Sequence, residues 1–151
     1  MKALVCNEYG AAENLEITTV DDPVPAEGEV LVDIRAAGIT FPDLLVIGGQ
    51  YQVKTPPPFI PGSEASGVVL ATGDGVSRFT PGDRVIITPS LGAFAEKCTV
   101  PERYCMHLPE RMTFAQGAGF TITYATSYHA FRQATKLRRG ETVLVLGAAG
   151  G

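Results

Sequence analysis

The small residues that end the chain form the stretch whose types and spacing most directly suggest chemistry. A short apolar run over 143–146 is followed at once by Gly-Ala-Ala-Gly-Gly over 147–151. Such a run is typical of a parallel strand that is buried on both faces. Glycines after a strand let the backbone turn tightly and approach a pyrophosphate, which then binds the N–H groups of the next helix. The stretch therefore predicts a phosphate-binding turn, although an ordinary junction between a strand and a turn explains the same residues.

The cysteine and histidine positions give little support to a metal centre. Cys6, Cys98 and Cys105 are odd in number and lack the Cys-x-x-Cys spacing. We interpret them as reduced thiols of a cytoplasmic protein. Cys98, Cys105 and His107 could be imagined as metal ligands, but such scattered positions along strand-like sequence are more typical of core and surface residues.

The composition is that of an ordinary globular protein. Hydrophobic residues make up 45% of the chain and charged residues 19%, and the formal net charge is −4. The only basic cluster is Lys136, Arg138 and Arg139, so a nucleic-acid partner is not expected. No apolar run reaches the length of a membrane span, and residues 1–4 begin a strand rather than a secretion signal.

The first two thirds of the chain have the pattern of short strands and turns, and 17 glycines and 11 prolines in the whole chain favour that reading. The predicted strands cover 2–9, 15–20, 29–37, 68–72, 84–88 and 93–100. The first two are expected to form a hairpin, and Val30, Val32 and Ile34 should share one face of the third. A short helix is expected over 41–47, ended by Gly48. This is a mainly β domain of about 110 residues, most simply a partly open barrel.

The pattern changes after Pro109. Residues 113–120 and 126–137 predict two helices, and the apolar run 143–146 predicts the strand that follows them. Helix, buried strand and glycine turn in this order are typical of the entry into a doubly wound α/β sheet. We therefore expect one whole small domain and the first strand of a second, with a boundary near residues 110–125.

Three motifs in this order resemble the medium-chain dehydrogenase/reductase superfamily. They are Ala-Ala-Gly-Ile-Thr-Phe-Pro-Asp-Leu over 36–44, Pro-Gly-Ser-Glu-Ala-Ser-Gly over 61–67 with Pro-Gly-Asp-Arg-Val over 81–85, and the terminal stretch 143–151. Within the superfamily the chain is most similar to the quinone oxidoreductase branch. The resemblance implies a mainly β fold with α+β character, in which a GroES-like partly open β-barrel is followed by helices and the first strand of a Rossmann α/β domain.

The same resemblance implies a division of the chain and a cofactor. Residues 1–122 would be the GroES-like catalytic domain, and residues 123–151 would begin the Rossmann domain. NADPH would lie in the cleft between the two domains.

The departures from the zinc-dependent members of the superfamily imply a protein that works without zinc. The positions that supply Cys, His and Cys or Glu ligands in those relatives are occupied here by Thr40, Ser63 and Ala118. Two hydroxyls and a methyl group cannot replace thiolate and imidazole as zinc ligands. The four-cysteine lobe that holds a structural zinc would begin near Pro89 and is also missing.

The resemblance implies roles for ten residues. Tyr51, Thr40 and Asp43 are expected to be catalytic, with Tyr51 lining the mouth of the substrate site. The expected cofactor-binding residues are Phe41, Thr123, Thr126, Gly147, Ala148, Gly150 and Gly151. Structural alternatives stay open, because a Tyr can simply pack on a loop, a Thr can cap a helix, and Asp43 and Glu64 can bind backbone N–H groups.

The predicted reaction is the transfer of a hydride from NADPH to a quinone. Such an acceptor needs no metal because it already carries a low-lying acceptor orbital, and the protein mainly positions the reactants. Reduction of an α,β-unsaturated carbonyl or of an enoyl or acryloyl thioester is the near alternative. A non-catalytic NADPH-binding or structural protein and a free-standing co-chaperonin-like barrel are the alternatives from other classes.

The family's usual partner is a second copy, so we expect a homodimer for the full-length protein. For the 151-residue chain alone we expect weaker association, no tight NADPH binding and no turnover. The reason is that the helix after the glycine turn, the adenosine pocket and the residue that reads the 2′-phosphate are not part of this sequence.

Overall fold

The computed structural model describes residues 1–147 of the chain, and within them the fold is mainly β, as the sequence predicts. A five-stranded antiparallel sheet has the order β6-β3-β4-β5-β7, and a separate hairpin joins β1 to β2. The strands are β1 (Lys2–Val5), β2 (Glu16–Thr19), β3 (Glu29–Ala37), β4 (Ala65–Thr72), β5 (Arg84–Ile87), β6 (Lys97–Pro101) and β7 (Cys105–His107).

The core lies against one face of the five-stranded sheet. Val30 and Val32 of β3 are fully buried, and Ile34 packs against the same cluster, as their alternation predicts. Strands β4, β5 and β6 add further apolar side chains, among them Val69, Ile87 and Val100. A second, smaller cluster of buried residues consists of Cys6, Ile47 and Phe59.

The helices lie at the ends of the strands. Helix α1 (Phe41–Ile47) has the predicted bounds and ends at Gly48, and α2 (Phe114–Ala118) packs against β3, β4 and β5. A continuous helical segment then covers 121–134, with π-helical turns on both sides of α3 (Thr126–His129). This helical segment begins five residues earlier and ends three residues earlier than the predicted helix 126–137.

The structure differs from the predicted strands at several places. Strand β1 ends at Val5 rather than at residue 9, and β4 begins at Ala65 rather than at residue 68. Strand β6 begins at Lys97 rather than residue 93, because the preceding residues pair elsewhere: Leu4 N–H donates to the Phe94 carbonyl and Ala93 N–H donates to the Gly62 carbonyl. The short strand β7 has no counterpart in the prediction, since its three residues are defined by pairing with β5.

Residues 141–147 form neither a helix nor a strand, which differs from the strand expected over 143–146. Leu144 and Leu146 are 82% and 83% exposed. A strand needs neighbours for its backbone N–H and C=O groups, and no parallel neighbour lies within the described residues.

Candidate functional site

The start of α1 gathers polar side chains around one buried carboxylate. Asp43 is only 3% exposed. Its Oδ2 accepts hydrogen bonds from the backbone N–H and the hydroxyl of Thr40, at 2.7 and 2.8 Å. Its Oδ1 accepts a third from the Ser63 hydroxyl at 3.3 Å. Because Thr40 precedes the helix and Asp43 is its third residue, the pair forms a capping box that fixes where α1 begins.

These hydrogen bonds restrict what the two hydroxyls can do. Each hydroxyl carries a single proton, and a carboxylate can only accept it. The protons of Thr40 and Ser63 are therefore directed to Asp43, and the two oxygen atoms can act toward a ligand only as acceptors. Asp43 thus accepts three hydrogen bonds from Thr40 and Ser63.

A cavity of about 460 Å³ opens beside this network, and we call it the Tyr51 cavity. Its wall is largely apolar, and its polar side chains are short hydroxyls, one phenol and the carboxylate of Asp43. The lining residues are Pro42, Asp43, Val46, Tyr51, Val53, Thr55, Ser63, Ser90, Leu91, Ile122 and Thr126.

A second hollow of about 730 Å³, the Gly38 groove, lies on the other side of the start of α1. Much of its wall consists of small residues from the end of β3 and from α2. The lining residues are Ala36, Ala37, Gly38, Ile39, Thr40, Phe41, Pro42, Glu64, Ala115, Ala118, Gly119, Ile122, Thr123, Thr126 and Ser127. Pro42, Ile122 and Thr126 line both hollows, so the two share a wall.

Glu64 is a second buried carboxylate at this wall, with a relative exposure of 2%. Its Oε2 accepts a hydrogen bond from the Ile122 N–H at 2.9 Å. Burial raises the pKa of Glu64, the Ile122 N–H opposes that rise, and the nearby charge of Asp43 adds to it. The backbone of Gly38 approaches this carboxylate so closely that a Cβ at position 38 would lie 2.5 Å from Oε1.

The structure brings most of the predicted site residues to this region. Tyr51 and Asp43 line the Tyr51 cavity, Thr40, Phe41 and Thr123 line the Gly38 groove, and Thr126 lines both. Phe41 is 70% exposed. Gly147 is exposed, with φ of +68°, and it does not line either hollow. Ala148, Gly150 and Gly151 lie outside the described residues.

No motif in the sequence indicated that Ile122, Ser90 or Leu91 would line the site. Ile122 and Ser90 come close to α1 only through the tertiary fold, and neither belongs to a motif. Thr121 lines neither hollow, and its buried Oγ1 has no hydrogen-bond partner within residues 1–147. The one available signal was position, because Ile122 lies directly beside the expected domain boundary.

Within residues 1–147 no group of three or more His, Cys, Asp or Glu side chains is arranged to hold a metal ion. The same part of the chain contains no helix that is both long and apolar enough to cross a membrane. Thr40 and Ser63, two of the positions that carry zinc ligands in zinc-dependent relatives, meet at Asp43. Ala118, the third, is 2% exposed and lies against Gly38 in the Gly38 groove.

Comparison with known proteins places these features in a family. Residues 26–110 match the alcohol dehydrogenase GroES-like domain. The whole chain aligns with human quinone oxidoreductase at 35% identity and with the rat synaptic vesicle membrane protein VAT-1 homolog at 37%, and it spans 46% and 38% of their lengths. It therefore covers less than half of these relatives.

Solved structures agree with the sequence relatives. The quinone oxidoreductase of Escherichia coli, complexed with NADPH, superposes with a TM-score of 0.84 at 29% identity, over 89% of this chain and 41% of that chain. The predicted fold class is thereby confirmed, although the strand expected over 143–146 is not formed here. The chain belongs to the alcohol dehydrogenase GroES-like family, within the quinone oxidoreductase branch of the medium-chain dehydrogenase/reductase superfamily.

Proposed function

We propose that the full-length protein is an oxidoreductase that transfers a hydride from NADPH to a neutral, electron-poor acceptor, foremost a quinone, without a metal ion. The observation that carries the proposal is the wall of Pro42, Ile122 and Thr126 between two hollows. Hydride transfer needs two reactants held in direct contact. A hydride donor in the Gly38 groove and an acceptor in the Tyr51 cavity would meet at that wall.

The Gly38 groove fits the nicotinamide end of the cofactor. Ala37, Gly38, Ala118 and Gly119 in the wall of the groove project at most a methyl group, so a flat ring can approach the backbone. Thr123 and Thr126 add hydroxyls that can bind the carboxamide. Among the described residues no Lys or Arg lines the groove, so we infer that the phosphates bind elsewhere. When bound, NADPH supplies the hydride from C4 of its nicotinamide.

The Tyr51 cavity fits an uncharged acceptor. Within residues 1–147 no Lys or Arg lines it, whereas the carboxylate of Asp43 does, and Val46, Val53 and Leu91 provide apolar surface. An anionic acceptor would lose hydration in this cavity without gaining a counter-charge. A quinone or another conjugated carbonyl avoids that loss. This supports a quinone, and it leaves the enone or thioester reductase as the second candidate, because the reacting part of each is neutral.

The hydroxyl geometry supports a division of roles. The protons of Thr40 and Ser63 are directed to Asp43, which makes Thr40 and Asp43 positioning residues. The other hydroxyls that line the cavity belong to Tyr51, Thr55, Ser90 and Thr126. Among them we assign to Tyr51 the hydrogen bond to an acceptor carbonyl, where negative charge develops as the hydride arrives. The proton that completes reduction would come through Tyr51 or from solvent.

We also infer that the GroES-like domain extends to residue 122 and that residues 123–151 begin the dinucleotide-binding domain. The contacts that support this boundary end there. The Phe114 carbonyl accepts a hydrogen bond from the Ser66 hydroxyl, and the Ile122 N–H donates to Glu64. Beyond Ile122 most side chains of the helical segment are exposed. The cytoplasmic location and the homodimer stay predictions.

The test is NADPH oxidation by the full-length protein with a panel of quinones, enones and enoyl thioesters. We expect Tyr51→Phe to lower kcat about 10²-fold or less, as the loss of one donor does, with little change in the KM for NADPH. Thr126→Val should raise the KM for NADPH, and Tyr104→Phe, a change at an exposed Tyr before β7, should alter neither constant.

Two outcomes would contradict the proposal. One is the absence of NADPH oxidation with every acceptor. The other is that Tyr51→Phe and Thr126→Val change kcat and the KM for NADPH to the same extent, because that result would assign neither residue to one reactant. About one zinc per chain after dialysis would contradict the metal-free part.

A further inference from the structure

One part of the wall of the Tyr51 cavity is a loop rather than a regular element. This mouth loop covers 48–59 and supplies Tyr51, Val53 and Thr55 to the cavity lining. Loops of this kind are the mobile parts of many sites. What holds the mouth loop in place therefore determines the shape of the cavity that we assign to the acceptor.

A second loop, between β1 and β2, holds both ends of the mouth loop. We call residues 6–15 the hairpin loop. The Cys6 N–H donates to the Phe59 carbonyl at 2.8 Å, and the Phe59 N–H returns a hydrogen bond to the Cys6 carbonyl at 3.1 Å. At the other end, the Gly10 N–H donates to the carbonyl of Ile47, the last residue of α1, at 3.1 Å.

Between these two ends, Tyr9 contacts the mouth loop twice. Its hydroxyl donates to the Thr55 carbonyl at 2.7 Å. Its ring lies against Gly49, where an added Cβ would be 2.9 Å from the ring atom Cγ. Gly49 also has φ of +62°, which a side chain disfavours. The ring and the hydroxyl thus hold the beginning and the middle of the loop on either side of Tyr51.

We propose that Tyr9 is a positioning residue for the acceptor site, which holds the mouth loop in the conformation that places Tyr51 at the Tyr51 cavity. Tyr9 itself does not line that cavity. Its effect on catalysis is therefore exerted through the loop and is confined to the acceptor. The catalytic part of this inference depends on the proposed function, whereas the structural part does not.

The structural part can be measured on the chain itself by trypsin digestion. Lys54 is exposed and is followed by Thr55, so trypsin can cleave directly beside the carbonyl that Tyr9 binds. Cleavage in a folded protein follows the population of the opened loop when closing is fast. Removing one hydrogen bond should raise that population roughly two- to tenfold.

We expect Tyr9→Phe, which retains the ring, to accelerate cleavage after Lys54 by that factor, and Tyr9→Ala to accelerate it further. Cleavage after Lys136, an exposed site beyond the helical segment, is the internal reference and should not change. Tyr104→Phe is the matched control, because Tyr104 is exposed to a similar extent, 46% against 41% for Tyr9. Unchanged cleavage after Lys54 in both Tyr9 variants, or equal acceleration at both sites, would overturn the proposal.

Gly49→Ala tests the ring contact separately. In the wild-type background the new methyl group must displace the Tyr9 ring, and cleavage after Lys54 should increase. In the Tyr9→Ala background the ring is gone, so the same change should add a smaller factor, due to the strain of the positive φ alone. Equal factors in the two backgrounds would show that the ring does not hold Gly49.

The catalytic part is measured on the full-length protein. Tyr9→Phe should raise the KM for the quinone roughly two- to tenfold and leave the KM for NADPH unchanged. An equal rise in both constants would overturn the positioning role. If the wild-type protein reduces no acceptor, the proposed function fails, and the trypsin experiment still decides whether Tyr9 holds the loop.

Discussion

Replacing Glu64 with Gln should remove a pH dependence of stability that the buried carboxylate produces. Glu64 is 2% exposed, and its pKa is raised by burial and, to a lesser extent, by Asp43. The folded protein therefore holds a proton over a pH range in which the unfolded chain has already lost it. In that range stability must fall as the pH rises.

The sign and the window follow from the two states. Below the ordinary pKa of a glutamate side chain, 4.5, which applies to the unfolded chain, the carboxyl is neutral in both states and its contribution is fully present. That contribution is lost as the pH rises through the higher folded pKa. In Glu64→Gln the amide oxygen can still accept the Ile122 N–H, but it carries no charge to desolvate, so we expect this variant to be at least as stable as the wild type at pH 7.

A second substitution gives the magnitude of the contact itself. Glu64→Ala leaves the Ile122 N–H without its partner, which costs about 1–3 kcal/mol, and it removes a buried methylene worth about 0.8 kcal/mol. The sum is about 2–4 kcal/mol, or a Tm lower by roughly 4–16 °C for a domain of this size.

The assay is urea unfolding followed by circular dichroism between pH 4 and 8, with wild type, Glu64→Gln and Glu64→Ala compared. Glu13→Gln, at an exposed position, is the control and should retain the wild-type pH slope. Asp22, whose pKa is lowered by its hydrogen bonds to Lys97 and the N-terminus, acts in the opposite direction in every variant and cancels in the difference. A Glu64→Gln protein with the wild-type slope would refute the reasoning.

Three further predictions concern other parts of the fold. Gly67→Ala should destabilise the chain by about 3 kcal/mol or more in thermal unfolding, because the new Cβ would lie 2.0 Å from the Asp33 carbonyl oxygen on the neighbouring strand. A loss of stability below about 1 kcal/mol would contradict this prediction. Arg84 donates hydrogen bonds to the carbonyls of Pro109, Glu110 and Met112, so Arg84→Met should lower the free energy of unfolding by about 1–3 kcal/mol and speed tryptic cleavage after Arg111. Arg84→Lys should restore only part of that stability, and full restoration by Lys would show that charge alone matters. Burial raises the pKa of Cys98 to about 11 and the pKa of Cys105 to about 12, and Cys6 is buried too. A thiol reagent at pH 8 should therefore label less than one Cys per folded chain but all three after unfolding. Rapid labelling of the native protein would contradict this prediction.

The elements that the sequence predicted well are those specified by local pattern. Strand β3 alternates buried and less buried residues along its length, and α1 has a capping residue at Thr40 and glycines after its last turn. Both have the predicted bounds. Strand β7 was missed because three residues carry no readable period and depend on β5 for their pairing. The run 143–146 carries a strong strand pattern, but a pattern cannot supply the neighbouring strands.

In the candidate site, too, the local contacts could be predicted and the long-range contacts could not. The Thr40–Asp43 pair is local and could be predicted, since the two residues are three apart. The hydrogen bonds from Ser63 to Asp43 and from Ile122 to Glu64 join residues 20 and 58 positions apart, and no spacing rule specifies them. The division of the site into two hollows with a shared wall also required the structure, because Ile122 and Thr126 meet Pro42 only in three dimensions.

The short segment 63–66, which leads into β4, forms hydrogen bonds with the elements around both hollows. Ser63 donates to Asp43 in α1, Glu64 accepts from Ile122 at the start of the helical segment, and Ser66 donates to the Phe114 carbonyl in α2. Because β4 lies at the centre of the five-stranded sheet, these three contacts connect the elements around both hollows to the central strand. A small shift of this segment would move α1 and the helical segment together, so the distance between a donor in one hollow and an acceptor in the other would be preserved. The mouth loop is held by other contacts, namely the hydrogen bonds from the Gln50 and Tyr51 N–H groups to the Leu45 carbonyl of α1 and the contacts with the hairpin loop. Among these, the proposal assigns to Tyr9 the hydrogen bond and the ring contact that position the loop.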